Sequence, residues 1–125
     1  MRFEKNVEEK YTVIKLLEEK LDSRISPSLK SEFINLSALG AKNVILDLEA
    51  VKYADSSGLS SILTGNRIFN HDGTFIICGL SQHVNKLITI SHLETVLNIL
   101  PTCDEAIEAI FMDELEDEIT QQEGF

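Results

Sequence analysis

The sequence predicts an α/β domain: a mixed sheet of four to five strands with helices mainly on one face. Three observations carry this. Two stretches near the start, Phe3–Val7 and Tyr11–Leu17, read as neighbouring strands joined by a turn at Glu8-Glu9-Lys10. From Ser26 onward, stretches of helical spacing alternate with short apolar runs, the order that builds layered α/β domains. The runs Val44–Leu48 and Thr74–Cys78 are almost wholly apolar, as strands buried within a sheet are.

The first two strands are adjacent in sequence. Ile14, Leu16 and Leu17 make the second apolar on both faces, which suits an inner strand. A polar stretch, Glu18 to Ser23, follows. Ser26-Pro27 then predicts a helix start, with Ser as N-cap and Pro in the first turn. Leu29, Phe33 and Leu36 recur at i, i+4 and i+7, and Gly40 is a natural stop. The strand Val44–Leu48 comes next, and strand–helix–strand order implies a right-handed crossover with parallel pairing.

A second helix is expected from about Ser57 to Phe69, with Leu59, Ile62, Leu63 and Phe69 toward the sheet. Ser60, Ser61, Thr64 and Asn66 would form a small, polar face suited to a partner. Gly65 costs about 1 kcal/mol of helix propensity against Ala, which either a close approach by another surface or local packing would explain. After the turn His71-Asp72-Gly73 and the strand Thr74–Cys78, Ser81 is the expected cap of a helix lined by Val84, Leu87 and Ile88. Ser91-His92-Leu93 breaks that helix. Val96–Leu100 reads as a short edge strand. Thr102 and Glu105 form a capping box for a last helix whose apolar stripe is Ala106, Ile107, Ile110, Phe111 and Leu115.

Composition narrows the function. A length of 125 residues with 43% hydrophobic residues fits one domain with a proper core. Aromatics are 6% and Trp is absent, which argues against an aromatic platform for nucleic acid. No apolar run approaches membrane-span length, and the start MRFEKNVEEK lacks the apolar core of a signal peptide. A cytoplasmic protein without membrane insertion is therefore expected. Cys78 and Cys103 form no disulfide framework or CxxC pair, and the three histidines are scattered, so no metal site is expected. The net charge of −10 is uneven: residues 104–125 hold nine acids and no base. The division expected is a domain over residues 1–115 and an acidic tail over 116–125, a solvated helix end fraying into disorder. That charge also opposes direct binding of nucleic acid or an anionic membrane.

The stretch most able to carry function is VILDLEAVKYADSSGLSSIL, Val44 to Leu63. It places Asp55-Ser56-Ser57-Gly58 where a loop becomes a helix. Free backbone N–H groups and the helix dipole favour negative charge there. A serine so placed can cap the helix, hold an anion or accept a phosphoryl group. A nucleophile elbow would need glycine two residues before the serine, but that residue is Ala54, and no histidine or acid has a recognisable partner role. One glycine and no lysine after Asp55 make a poor phosphate-cradling loop.

Val44–Leu63 resembles the signature of STAS domains, above all the bacterial anti-sigma factor antagonists. The pattern of strand, short acidic loop and D-S-S-G-L is met by Asp55, Ser56, Ser57, Gly58 and Leu59, followed by Ser60, Ser61, Ile62 and Leu63. The resemblance extends in element order from about Phe3 to Phe111. It implies the STAS fold and phosphorylation of Ser56 by an anti-sigma factor serine kinase. The chain would bind that kinase when unphosphorylated, releasing a sigma factor, and a serine phosphatase would reset it. The implied partner surface is Asp22, Ser23, Asp55, Ser56, Ser57, Gly58, Leu59 and Ser60. The protein would be no enzyme, need no cofactor, and be a monomer or weak dimer. Three features depart from the family: Glu19-Lys20 replaces glycine-glutamate before Leu21-Asp22, Ser60 stands where glycine is frequent, and the tail is acidic. The same resemblance also allows a soluble subunit or regulator of a lipid-transport ATPase or anion transporter, or a module sensing a small ligand.

Overall fold

The computed structural model describes residues 1–123. Its elements are β1 (Phe3–Val7), β2 (Thr12–Leu16), β3 (Lys20–Leu21), α1 (Ser26–Ala38), β4 (Asn43–Asp47), β5 (Tyr53–Ala54), α2 (Ser56–Phe69), β6 (Thr74–Cys78), α3 (Gln82–Ile90), β7 (Asn98–Leu100) and α4 (Cys103–Glu123). Five strands form one sheet in the order β1-β2-β4-β6-β7, and β3 and β5 pair as a small annex. The β1–β2 hairpin is antiparallel. All other pairs are parallel, as crossover connections require.

Strand alternation sorts the core into two layers. Val44 and Leu46 of β4, with Ile14, Leu16, Phe75 and Ile77 of its neighbours, face α1, α2 and α3. Ile45, with Val13, Ile76 and Cys78, faces Ala106 and Ile110 of α4. Three helices thus cover one face and one covers the other. Burial on both faces is why β4 and β6 read as unbroken apolar runs.

The three-helix layer has an aromatic centre. Phe33 of α1 meets Phe75 edge-on at 5.5 Å and Phe69 at 5.9 Å. Gly65 lies against this cluster. A Cβ there would be 2.7 Å from the rings of both Phe33 and Phe75. Local packing therefore explains the glycine inside α2: the propensity lost is offset by ring contacts that a methyl would displace.

Helix starts depart from the sequence expectations in two places. Ser26 is not the cap of α1: Ile25 occupies that position without a side-chain bond. Ser26 is buried, and its Oγ donates to the Asp22 carbonyl at 2.8 Å. The preceding loop folds back on itself, so its own carbonyl takes the hydroxyl. At α2 neither serine caps. Asp55 is the N-cap, its Oδ1 accepting from the Gly58 N–H at 2.9 Å, so the helix begins at Ser56. Ser81 does cap α3, accepting from the Val84 N–H at 3.3 Å. Thr102 Oγ1 likewise accepts from Glu105 N–H at 3.1 Å ahead of α4.

Two end segments also differ. The last strand is shorter than Val96–Leu100, covering only Asn98–Leu100. The last helix extends past Leu115 to Glu123, with residues 116–120 exposed. Gly124 and Phe125, the end of the expected tail, lie outside the described residues.

Candidate functional site

The site is assembled where the β3–β5 annex meets the start of α2. Lys20 pairs with Tyr53 and Leu21 with Ala54. The Asp55 N–H donates to the Leu21 carbonyl at 3.3 Å. Gly58 lies directly over that carbonyl: a Cβ on Gly58 would overlap the Leu21 oxygen and lie 2.9 Å from its Cγ. Leu21 is fully buried and cannot give way. The glycine of D-S-S-G-L thus allows the first turn of α2 to sit on the β3 strand, and this contact fixes where Ser56 stands.

Ser56 occupies the first helical position and is exposed, whereas Ser57 is half-buried. Among the described residues, neither hydroxyl takes part in a hydrogen bond. A serine-to-backbone bond is made one turn later, by Ser61, whose Oγ donates to the Gly58 carbonyl at 2.6 Å. Ser61 is fully buried and leaves the face that the sequence offered to a partner. Leu59 is also buried and acts from beneath. Ser60 remains exposed and accepts from Lys30 Nζ at 3.1 Å.

Ser23, Ser26, Pro27, Lys30, Ser56, Ser57 and Ser60 line one open depression. Of the expected surface, Ser23, Ser56, Ser57 and Ser60 come together here. Asp22 stands beside it through the Asp22–Ser26 turn. Its carboxylate accepts from the Arg24 N–H at 3.0 Å and from the Arg24 guanidinium at 3.1 Å. The Arg24 side-chain bond holds the Asp22 carboxyl below the usual carboxylate range. Lys30, the one charged residue lining the depression, was missed in the sequence. Its signal was its place one turn beyond Ser26 on α1, which matters only once α1 and α2 are known to pack side by side.

The acids of the neighbouring segments do not act as one group. Asp55 is engaged as the cap, and Asp22 is matched by Arg24. Glu49 pairs with Lys15 at 3.9 Å. Asp47 is buried, with its Oδ1 accepting from the Glu49 N–H at 3.0 Å. The ligand atoms of Asp47, Cys78 and Cys103 lie within 4.8 Å of one another, a donor set that could hold a metal ion. Burial pushes the Cys78 thiol pKa far up, and the nearby Asp47 charge adds to it; Cys103 is raised by the same causes in the same order.

Chemically, the depression offers an exposed hydroxyl at a helix start, a nearby ammonium group and room for another protein's surface. No base is hydrogen-bonded to Ser56 among the described residues, so proton removal from its hydroxyl would fall to a partner.

A family model described as STAS domain matches residues 3–106. The fold is similar to the anti-sigma factor antagonist SpoIIAA in its unphosphorylated form, with 25% identity, TM-score 0.73, and coverage of 87% of this chain and 96% of that one. The phosphorylated form of the Bacillus cell fate determinant SpoIIAA matches with 24% identity, TM-score 0.67, and coverage of 87% and 99%. An anti-sigma factor antagonist from Mycobacterium paratuberculosis shares 18% identity at TM-score 0.79, with coverage of 87% and 92%. A sulfate transporter family protein from Wolinella succinogenes shares 14% identity at TM-score 0.73, with coverage of 86% and 89%.

Proposed function

The chain belongs to the STAS-domain family, and we propose that it is an anti-sigma factor antagonist switched by phosphorylation of Ser56. In this reading it is an interaction module, not an enzyme. Unphosphorylated, it binds an anti-sigma factor serine kinase and so frees a sigma factor. Phosphorylated, it lets the kinase go, and a serine phosphatase restores it. The observation that carries the reading is the exposed Ser56 at the first position of α2, already capped by Asp55. The cap is supplied by the preceding residue, so modifying the serine removes no bond that holds the helix.

The switch follows from charge. A phosphoserine adds about −1.5 to −2 charges. In the free protein these fall at a helix N-terminus, where the dipole favours them, and Lys30 lines the same depression. The fold therefore persists on phosphorylation. In a packed interface the phosphate would have to be desolvated and matched by the partner, which opposes association. The relationship to SpoIIAA, known in unphosphorylated and phosphorylated forms, supports the assignment of this chemistry.

The test is recovery of bound proteins from lysate of the native host with wild-type, Ser56→Ala and Ser56→Asp baits, identified by mass spectrometry. Wild type and Ser56→Ala are expected to retain a serine kinase of the anti-sigma type, and Ser56→Asp to retain less. Equal capture of a transporter component by all three would replace the proposal with the transporter-regulator reading.

A further inference from the structure

On the face of the sheet opposite Ser56, we propose a binding site for one thiophilic divalent cation of the zinc class, formed by Asp47, Cys78 and Cys103. The three residues come from separate parts of the chain and converge through the fold. Asp47 and Cys78 end adjacent parallel strands and are partners in the β4–β6 register. Cys103 opens α4. The Gly79 N–H donates to the Pro101 carbonyl at 3.1 Å, which draws the start of α4 onto the end of β6. All three ligand atoms lie within 4.8 Å of one another. Tetrahedral zinc with thiolate bonds of about 2.3 Å and carboxylate bonds of about 2.0–2.2 Å places donors roughly 3.5–3.8 Å apart. Closing the cluster onto an ion thus needs a shift of about 1 Å or less.

The chemistry of the donors fits. Two thiolates and a carboxylate select zinc-like ions over magnesium or calcium. Asp47 Oδ1 already accepts from the Glu49 N–H, which orients the carboxylate. Cys103 stands at the first position of a helix, where the dipole favours a thiolate. Binding would form two sulfur–metal bonds with the thiol protons released to solvent, so affinity rises with pH. Cys103 is half-buried, leaving a fourth position to water from the open side. Twenty-four residues lie between the cysteines, and no CxxC spacing announces them, which is why no metal site was legible in the sequence.

The experiment uses the full, untagged, metal-free chain under a non-thiol reductant, titrated with Co²⁺. The expected result is a thiolate-to-cobalt charge-transfer band saturating at one equivalent and abolished by excess Zn²⁺. Cys103→Ala, at a half-buried position, should lose the band while keeping a cooperative thermal transition. Asp47→Asn, which can still accept from Glu49 N–H, should bind at least tenfold more weakly. Absence of the band at tenfold excess Co²⁺ would overturn the site. So would a band unchanged in Cys103→Ala or an affinity unchanged in Asp47→Asn. Binding without the band would assign the ion to the acids of α4 and equally refute the proposal.

Discussion

Two helices on opposite faces of the sheet each begin with a nucleophilic side chain just after a capping residue. Asp55 precedes Ser56 in α2, and Thr102 precedes Cys103 in α4. Their local geometry is alike, and their surroundings are not. Ser56 opens onto a depression lined by four other serines and Lys30 among its residues. Cys103 turns toward a buried thiol and a buried carboxylate. The first side chain is exposed, and the second is half-buried against two buried groups. A helix start supplies the field and free N–H groups, and burial decides what can use them.

The layers behind the two starts also differ. Behind α2 stand the Phe33–Phe69–Phe75 cluster and most of the buried core. Behind α4 the core is small, and Phe111, Met112, Leu115 and Ile119 along its length are about half exposed. The α2 start should accordingly be held the more firmly. The sharpest way to break this contrast is Phe33→Ala, which should cost about 3–5 kcal/mol by urea unfolding. A loss near 1 kcal/mol would show that the aromatic cluster does not anchor the face.

Next in size is Gly58→Ala. The added methyl meets the immovable Leu21 carbonyl, so a loss of about 1–3 kcal/mol is expected. Amide resonances should shift around both Leu21 and Ser56, because the contact positions the serine. Shifts confined to α2 would separate Gly58 from the annex. The two caps come third. Asp55→Ala and Thr102→Ala should each cost about 1 kcal/mol, and a calorimetric comparison of the two tests whether the helix starts are locally alike. A cost several times larger for one would show that its surroundings, not its cap, hold it. Smallest is truncation after Leu115. Residues 116–120 are exposed, so the melting temperature should fall by no more than about 4 °C, in line with roughly 1 kcal/mol or less. A fall of ten degrees would mean that the end of α4 packs on the domain.

Much of this arrangement was legible in the sequence, for physical reasons that also mark where legibility stops. Val44–Leu48 and Thr74–Cys78 were readable as strands because burial on both faces demands unbroken apolar runs. The D-S-S-G-L loop was readable through its resemblance to the STAS signature, because its residues alone leave capping, anion holding and phosphorylation open. The capping residues were not separable: Asp55, Ser56 and Ser57 are all good caps, and only backbone geometry selects Asp55. Ser26 looked like a cap because its type is right, but the carbonyl of Asp22 takes its hydroxyl. Lys30, and the meeting of Asp47 with Cys78 and Cys103, depend on contacts between distant segments, which no local pattern encodes. The continuation of α4 past Leu115 was hidden by its acidic composition, which reads equally as a solvated helix or a disordered tail.

The central claim is that Ser56, and not its neighbour, is the phosphoacceptor of a binding switch. The direct measurement is peptide mapping after incubation with the serine kinase recovered from the native host and ATP, with kinase affinity measured before and after. The account predicts one phosphate, on Ser56, absent in Ser56→Ala, with weaker kinase binding in the modified protein and an unchanged fold by circular dichroism. Phosphate on Ser57 with Ser56 unmodified, or phosphate on Ser56 with kinase affinity unchanged, would contradict it.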